Sequence, residues 1–198
     1  LKAEVDGGRG DLRAAIYETD EGFHLVPSQP ELSLIEVALI NTLSRERVLA
    51  GLLSDVTPAY DYVLIDCNPS LGLLVINALT AADSVLIPIQ TEYLAARGAL
   101  MILSTIETIR RKRLNPNLKV EGILLTMADT RAALTRDVQT AVEQQYGDDI
   151  HIFNAVVRRS VRFAESAAAG RSILAHDPRG AGANAYRAVA KEIDKGKT

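Results

Sequence analysis

The sequence predicts an α/β fold: one doubly wound, mostly parallel sheet flanked by helices. Two observations carry this. Short apolar runs bounded by turn residues alternate with longer helical stretches from residue 23 onward, the order that crossover helices between parallel strands produce. The run Tyr62-Val63-Leu64-Ile65 is apolar on both faces, as a central parallel strand buried between two helix layers would be. No internal repeat, low-complexity tract or linker divides the chain. Residues 1–198 therefore read as a single domain, with 1–22 expected to be irregular.

The elements follow in order. Residues 1–22 are rich in Gly, Asp and Glu and hold at most a short helix around Leu12 and Ile16. Phe23 to Val26, stopped by Pro27-Ser28, reads as a strand. From about 30 to 53, Leu32, Ile35, Val37, Leu39, Ile40, Leu43, Val48 and Leu52 fit a wide helical stripe, with Pro30 suited to a first turn. A strand is expected at 61–66, broken by Asn68-Pro69-Ser70, and Ser70 is placed to cap a helix over 71–82. The next strand is 84–89, with Pro88 near its end. A helix over 94–113 buries Leu94, Met101, Ile102, Ile106 and Ile109. A strand at 120–127, a helix at 132–146 and a strand at about 150–157 come next. Short helix 161–168 and a last helix at 181–194 complete the chain.

Composition excludes several classes. Of 198 residues, 47% are hydrophobic and 24% charged, which is ordinary for a globular chain and not for a disordered or fibrous one. No apolar run is long enough to span a bilayer, and the first ten residues have no apolar core of a signal peptide. The single cysteine, Cys67, forms no internal disulfide, and with three histidines makes a structural zinc site unsupported. Cys67 reads as a small buried residue. A reducing, cytoplasmic setting is the expectation. Charge is unevenly spread. Residues 1–99 carry 6 Lys/Arg against 14 Asp/Glu, and residues 100–198 carry 16 against 11, so the halves stand at −8 and +5. Such asymmetry points to a polyanion partner for the basic half, or to a dipolar surface without consequence.

Chemistry concentrates first at Asp66. A buried strand that ends in Asp delivers a carboxylate to the ligand-binding edge of an α/β sheet. In nucleoside triphosphatases such an Asp anchors the water shell of Mg²⁺. The alternative is an Asp that caps the helix that follows.

Residues 60–91, YDYVLIDCNPSLGLLVINALTAADSVLIPIQT, resemble the ParA-type partition ATPases, relatives of the MinD division-site ATPases. Asp66 falls on that family's Mg²⁺-linked Asp, Pro69 on its second proline and Ser70 on its serine, while Asn68 stands where the first proline is expected. The likeness continues through Gln90-Thr91-Glu92-Tyr93 and Gly98, then Gly122 to Met127 with Asp129 and Arg131. It goes on in Arg159-Ser160-Val161-Arg162 with Glu165, and in Asp177-Pro178-Arg179-Gly180. Arg158 and Ser160 replace a proline and an asparagine that lie near the adenine in the family. The match covers roughly 23–194.

That resemblance implies a deviant P-loop nucleotide triphosphatase fold with its first strands missing. No G-x-x-x-x-G-K-[ST] occurs in these residues, and no deviant form with a second lysine. The strand whose end supplies the family's water-positioning Asp has no counterpart either. Two readings follow: the C-terminal two-thirds of a longer ATPase domain, or a degenerate, non-hydrolysing homologue acting as a DNA- or partner-binding module. The patternless N-terminus beside an intact remainder favours the first.

The resemblance further implies ATP and Mg²⁺ as cofactors, with Asp66 catalytic and metal-linked through water. Pro69, Ser70, Arg158 and Arg159 would then be nucleotide-binding, and Arg159, Arg162 and Arg171 DNA-binding. It implies an ATP-dependent homodimer on non-specific nucleoid DNA, a ParB-type stimulating protein, and no membrane. From the residues themselves, Arg158, Arg159, Arg162 and Arg171 fall close together with Glu165 alone opposing them, a composition suited to phosphate contacts. Arg110-Arg111-Lys112-Arg113 reads instead as a helix end, where cations meet unpaired carbonyls. His24, His151 and His176 are scattered and suggest no metal or catalytic site.

Overall fold

A computed structural model describes residues 10–68, 70–91, 95–128 and 150–195, with positions 1, 3, 8 and 140. The chain forms two compact units: Leu1–Asp83 with Ser104–Leu118, and Ser84–Leu103 with Lys119–Thr198.

The first unit is mainly helical among its described residues. Its two short strands, β1 (Tyr17–Glu18) and β2 (His24–Leu25), pair antiparallel. Thr19 Oγ1 donates to the Phe23 carbonyl across their turn at 2.7 Å. The apolar run at 23–26 is therefore half of a local hairpin and not a strand of the parallel sheet. β1 lies inside the stretch expected to be irregular.

The single helix expected over 30–53 is broken into α1 (Leu32–Leu39) and α2 (Val48–Ser54), with a 3₁₀ turn at Arg45–Arg47 between them. Ser44 sits at φ +54°, a left-handed conformation through which a right-handed helix does not continue. The break is held by Asn77 on α3 (Leu73–Ala81). Its Nδ2 donates to the Arg45 carbonyl at 2.8 Å and the Leu73 carbonyl at 3.0 Å, and its Oδ1 accepts from the Leu49 amide at 3.1 Å. Asn77 is buried, and these bonds satisfy both ends of its amide.

Of the stripe read from sequence, Leu39 and Leu52 are buried, whereas Leu43 is 91% exposed and Val37 and Ile40 are also exposed. α3 packs against α1 and α2, and Val75 and Leu79 are buried with Ile106 and Leu118.

The central strand expected over 61–66 is not formed. Residues 62–68 have no sheet partner among the described residues, and Leu64 is 91% exposed. An apolar run becomes a strand only when a neighbour supplies the hydrogen-bond ladder. Among the described residues no ladder includes this run.

The second unit holds the parallel sheet. β3 (Ser84–Gln90) and β4 (Lys119–Thr126) pair parallel from Ser84↔Lys119 to Gln90↔Thr126. They are joined through α4 (Ala95–Arg111), which spans both units. In β4, Ile123, Leu124 and Leu125 are all buried, so both faces of the strand are covered. A register shift between Val85 and Leu86 brings Gly122 opposite Leu86. Gly122 has φ +152°, and a Cβ there would stand 2.7 Å from the His151 carbonyl. Only glycine lets residue 151 approach this closely.

The segment expected as a strand at 150–157 runs parallel to β4 through two isolated bridges, Ile123↔Ile152 and Ala128↔Arg158. α5 (Val161–Ala168), α6 (Ile173–His176) and α7 (Ala181–Lys195) follow. Leu124, Phe153, Val157 and Val189 form the core on this side, with Phe163 and Ile193 packed against it. Met101, expected to be buried, is exposed. The helix expected at 132–146 lies outside the described residues, apart from a helical position at residue 140. The architecture is α/β, with a parallel sheet flanked by helices.

Replacing Asn77 by Ala leaves the Leu49 amide and the Arg45 carbonyl without their partner. The expected loss is about 2–3 kcal/mol in chemical denaturation. A loss below about 0.5 kcal/mol would show that water substitutes for the side chain.

Candidate functional site

Two segments carry the residues singled out from sequence, one in each unit. In the first unit the chain has no regular secondary structure from Tyr62 to Asn68 and leaves Asp66 exposed, followed by exposed Cys67 and Asn68. Ser70 is exposed as well, and Pro69 lies outside the described residues. Cys67 is therefore not the buried residue expected. Its Sγ lies 3.6 Å from the Ile65 carbonyl. Desolvation by neighbouring atoms, with the Asp66 carboxylate second, pushes its thiol up, away from the reactive thiolate.

Next to this loop, Gly72 faces Glu36 of α1 so closely that a Cβ would overlap the carboxylate. Asp66 and Ser70 are hard oxygen donors suited to a hydrated Mg²⁺. Among the described residues no cluster of three or more His, Cys, Asp or Glu could hold a metal ion.

In the second unit, the segment after residue 150 carries the arginines. Phe153 N donates to the Ile123 carbonyl at 3.0 Å, and Val157 N donates to the Leu125 carbonyl at 2.9 Å. A regular parallel ladder advances two residues on each strand between such bonds. Here the 150s segment advances four, so two extra residues bulge out. The amides of Asn154 and Ala155 in that bulge turn to Glu192 of α7, each at 3.1 Å. Asn154 Nδ2 and His151 Nε2 reach the same carboxylate at 3.3 and 3.4 Å. Burial pushes the Glu192 carboxyl up, but the amides of Asn154 and Ala155, with the Asn154 and His151 side chains, outweigh it and bring it below the usual range.

Beyond the bulge, Arg159 N donates to the Ala128 carbonyl at 3.0 Å, and the chain enters α5. Ser160 caps this helix, its Oγ accepting from the Arg162 amide at 3.2 Å. Asparagine and serine are both strong N-caps, so Ser160 keeps the helix start that the asparagine of the resembled motif would provide. Arg158, Arg159 and Arg162 are exposed along this turn, as is Arg171 just after α5. Arg162 Nη1 donates to Glu165 Oε2 at 2.7 Å, and His176 Nε2 lies 3.6 Å from the same oxygen.

Arg110 behaves as a helix-end residue, as expected. Its Nε and Nη2 donate to the Leu118 carbonyl at 2.8 and 2.6 Å, and Nη1 meets Glu107. Glu192 and His151 escaped the sequence reading because they lie about 40 residues apart and no local pattern links them. Asn77 lies within the resembled segment 60–91, where no local pattern marks its bonds to Arg45 and Leu49.

Residues 5–120 match the family described as an AAA domain. Over 175 residues the chain is 43% identical to the sporulation initiation inhibitor protein Soj of Bacillus subtilis, covering 88% of this chain and 68% of that protein. It is 42% identical to the chromosome partitioning protein ParA of Myxococcus xanthus, covering 88% and 60%. A crystal structure of cobyrinic acid a,c-diamide synthase from Mycobacterium smegmatis, with bound ADP and magnesium, superposes with a TM-score of 0.77 at 34% identity. That superposition covers 93% of this chain and 67% of that one. The chain spans between 55% and 70% of the length of these and similar curated relatives.

The Glu192 clamp predicts a pH dependence. A carboxylate lowered in the folded state stabilises above its unfolded pKa of about 4.3. That stabilisation fades as pH falls through the folded value. Glu192→Gln is therefore expected to lower stability by roughly 1–2 kcal/mol at neutral pH, with the deficit shrinking in acid. Thermal melts of both proteins from pH 7 down to pH 3 check this. A deficit that stays constant across that range would mean that the carboxylate charge is not what holds the bulge.

Proposed function

The chain belongs to the ParA/MinD superfamily of partition ATPases, and from that premise we propose that the protein from its complete gene binds Mg²⁺-ATP and non-specific DNA to position a large cargo. The observation that carries the DNA half is the exposed turn of Arg158, Arg159 and Arg162, with Arg171 beside it in sequence. Residues 158–198 carry 9 Lys/Arg against 4 Asp/Glu. Arginines that meet phosphates give affinity without reading bases, which suits a protein that travels over nucleoid DNA whatever its sequence.

The nucleotide half rests on Asp66 and on the ADP and magnesium bound by the mycobacterial relative. Mg²⁺ supplies charge neutralisation across the phosphates. In this chain Asp66 would hold its water shell, with Pro69-Ser70 next to it in sequence. Residues 1–198 contain no phosphate-gripping G-x-x-x-x-G-K-[ST], so no chemical step is assigned to them alone. ATP-dependent homodimerisation, a ParB-type partner that stimulates release, and a cytoplasmic, nucleoid-associated location complete the proposal. Among the described residues no helix is long and apolar enough to cross a membrane.

The test is a salt titration of fluorescence anisotropy on two unrelated duplexes, with Mg²⁺-ATP present and dimerisation measured separately. Arg162→Glu is expected to weaken binding equally on both duplexes. It should lower the slope of log affinity against log salt by about 0.9 or more. Arg110→Glu serves as the control, since Arg110 is spent on the Leu118 carbonyl: it should lower the melting temperature and leave DNA affinity unchanged. An unchanged affinity for Arg162→Glu, with Arg110→Glu lowering both affinity and slope, would move the DNA face to the other helix.

A further inference from the structure

α5 places Arg162 and Glu165 one turn apart on its exposed side, while Phe163 and Ser166 face inward. Arg162 Nη1 donates to Glu165 Oε2 at 2.7 Å, and His176 at the end of α6 brings a second nitrogen to 3.6 Å from that same oxygen. Ser166 is buried, its Oγ donating to the Phe163 carbonyl at 2.9 Å, so the inward face of the helix is fixed and the pair sits at a fixed outward position. The hydrogen bond between the two side chains raises the Arg162 guanidinium, with the Glu165 and Asp177 charges adding to it. The same bond lowers the Glu165 carboxyl against its desolvation.

We propose that Glu165 is an intramolecular competitor for nucleic-acid phosphate at Arg162, a brake built into the basic face. This rests on the DNA-binding reading given above. To a guanidinium, a carboxylate oxygen and a phosphate oxygen are the same kind of partner: anionic acceptors that take charge-assisted hydrogen bonds. In the folded chain Nη1 is already directed to Glu165. A phosphate that takes this N–H must displace the carboxylate, and one that seats on another N–H of the guanidinium meets a cation whose charge Glu165 already offsets. Either way Glu165 weakens the complex through Arg162. Arg158 and Arg171 have no carboxylate drawn to their side chains among the described residues, so the brake acts on one contact of the basic face and not on all of it. An exposed pair of this kind is weak enough to be exchanged for a phosphate, which makes it a tuning device and not a block.

A double-mutant cycle tests this, with anisotropy on one duplex at fixed low salt, using the protein from its complete gene with Mg²⁺-ATP. All four side chains of the cycle are exposed or replace exposed residues, and circular dichroism confirms folding of each variant. Arg162→Gln alone should weaken binding. Glu165→Gln alone should tighten it about two- to fivefold. In the Arg162→Gln background the same Glu165→Gln change should alter affinity by less than about 1.5-fold.

An equal gain in both backgrounds would overturn the brake, because the loss of one negative charge would then act at long range and not through Arg162; the DNA reading would stand. No gain from Glu165→Gln in the native background would overturn it as well. Unchanged affinity for Arg162→Gln would bring down the DNA reading of this face and the brake with it.

Discussion

One carboxylate holds the arrangement on which the second unit depends. Glu192 of α7 takes the amides of Asn154 and Ala155 out of the sheet. Without it those two donors, on exposed Asn154 and half-buried Ala155, would have to turn to water. The clamp replaces that solvation with charge-assisted hydrogen bonds, which are stronger than neutral ones. With the bulge satisfied, the segment rejoins β4 two residues later than a regular ladder would, through Val157 N and then Arg159 N. That offset decides where Arg158, Arg159 and the cap Ser160 leave the sheet and where α5 begins. The basic turn is thus set by a contact with the last helix, more than thirty residues away.

Gly122 is the complementary constraint on the other strand. Its φ of +152° and the 2.7 Å approach of the His151 carbonyl to where a Cβ would stand permit the ladder to start. Glu192 then permits it to be interrupted. The arginine turn needs both, and neither residue carries any of the chemistry attributed to the turn.

Much of the second unit was legible because its signals are local. The apolar runs at 84–89 and 120–127, the short helix at 161–168 and the last helix appear within a residue or two of the expected bounds. Burial on both faces of β4 follows from an unbroken apolar run. The first unit was less legible, since its organisation depends on distant partners. The helix expected over 30–53 satisfies the apolar period, yet Asn77 takes the backbone groups of Arg45 and Leu49 and Ser44 turns left-handed. Tyr62 to Ile65 has the composition of a central strand, but composition does not supply a neighbour. Among the candidate site residues, the exposure of Arg158, Arg159, Arg162 and Arg171 follows from their polarity. The pairing of Arg162 with Glu165 follows from i,i+3 spacing. The approach of His176 does not, because it depends on the turn between α5 and α6.

The central claim is that residues 1–198 build the arginine-bearing parallel sheet, while the segment that ends in Asp66 has no ladder partner among the described residues. Amide hydrogen exchange on this chain tests it most directly. The amides of Ile123, Phe153, Val157 and Arg159 donate to sheet carbonyls and are expected to be protected to near the global unfolding limit. Those of Val63 through Asp66 make no backbone hydrogen bond to described residues and are expected to exchange at close to unstructured rates. Protection of Val63 to Asp66 equal to that of Ile123 would show that this segment is paired after all, and would contradict the account.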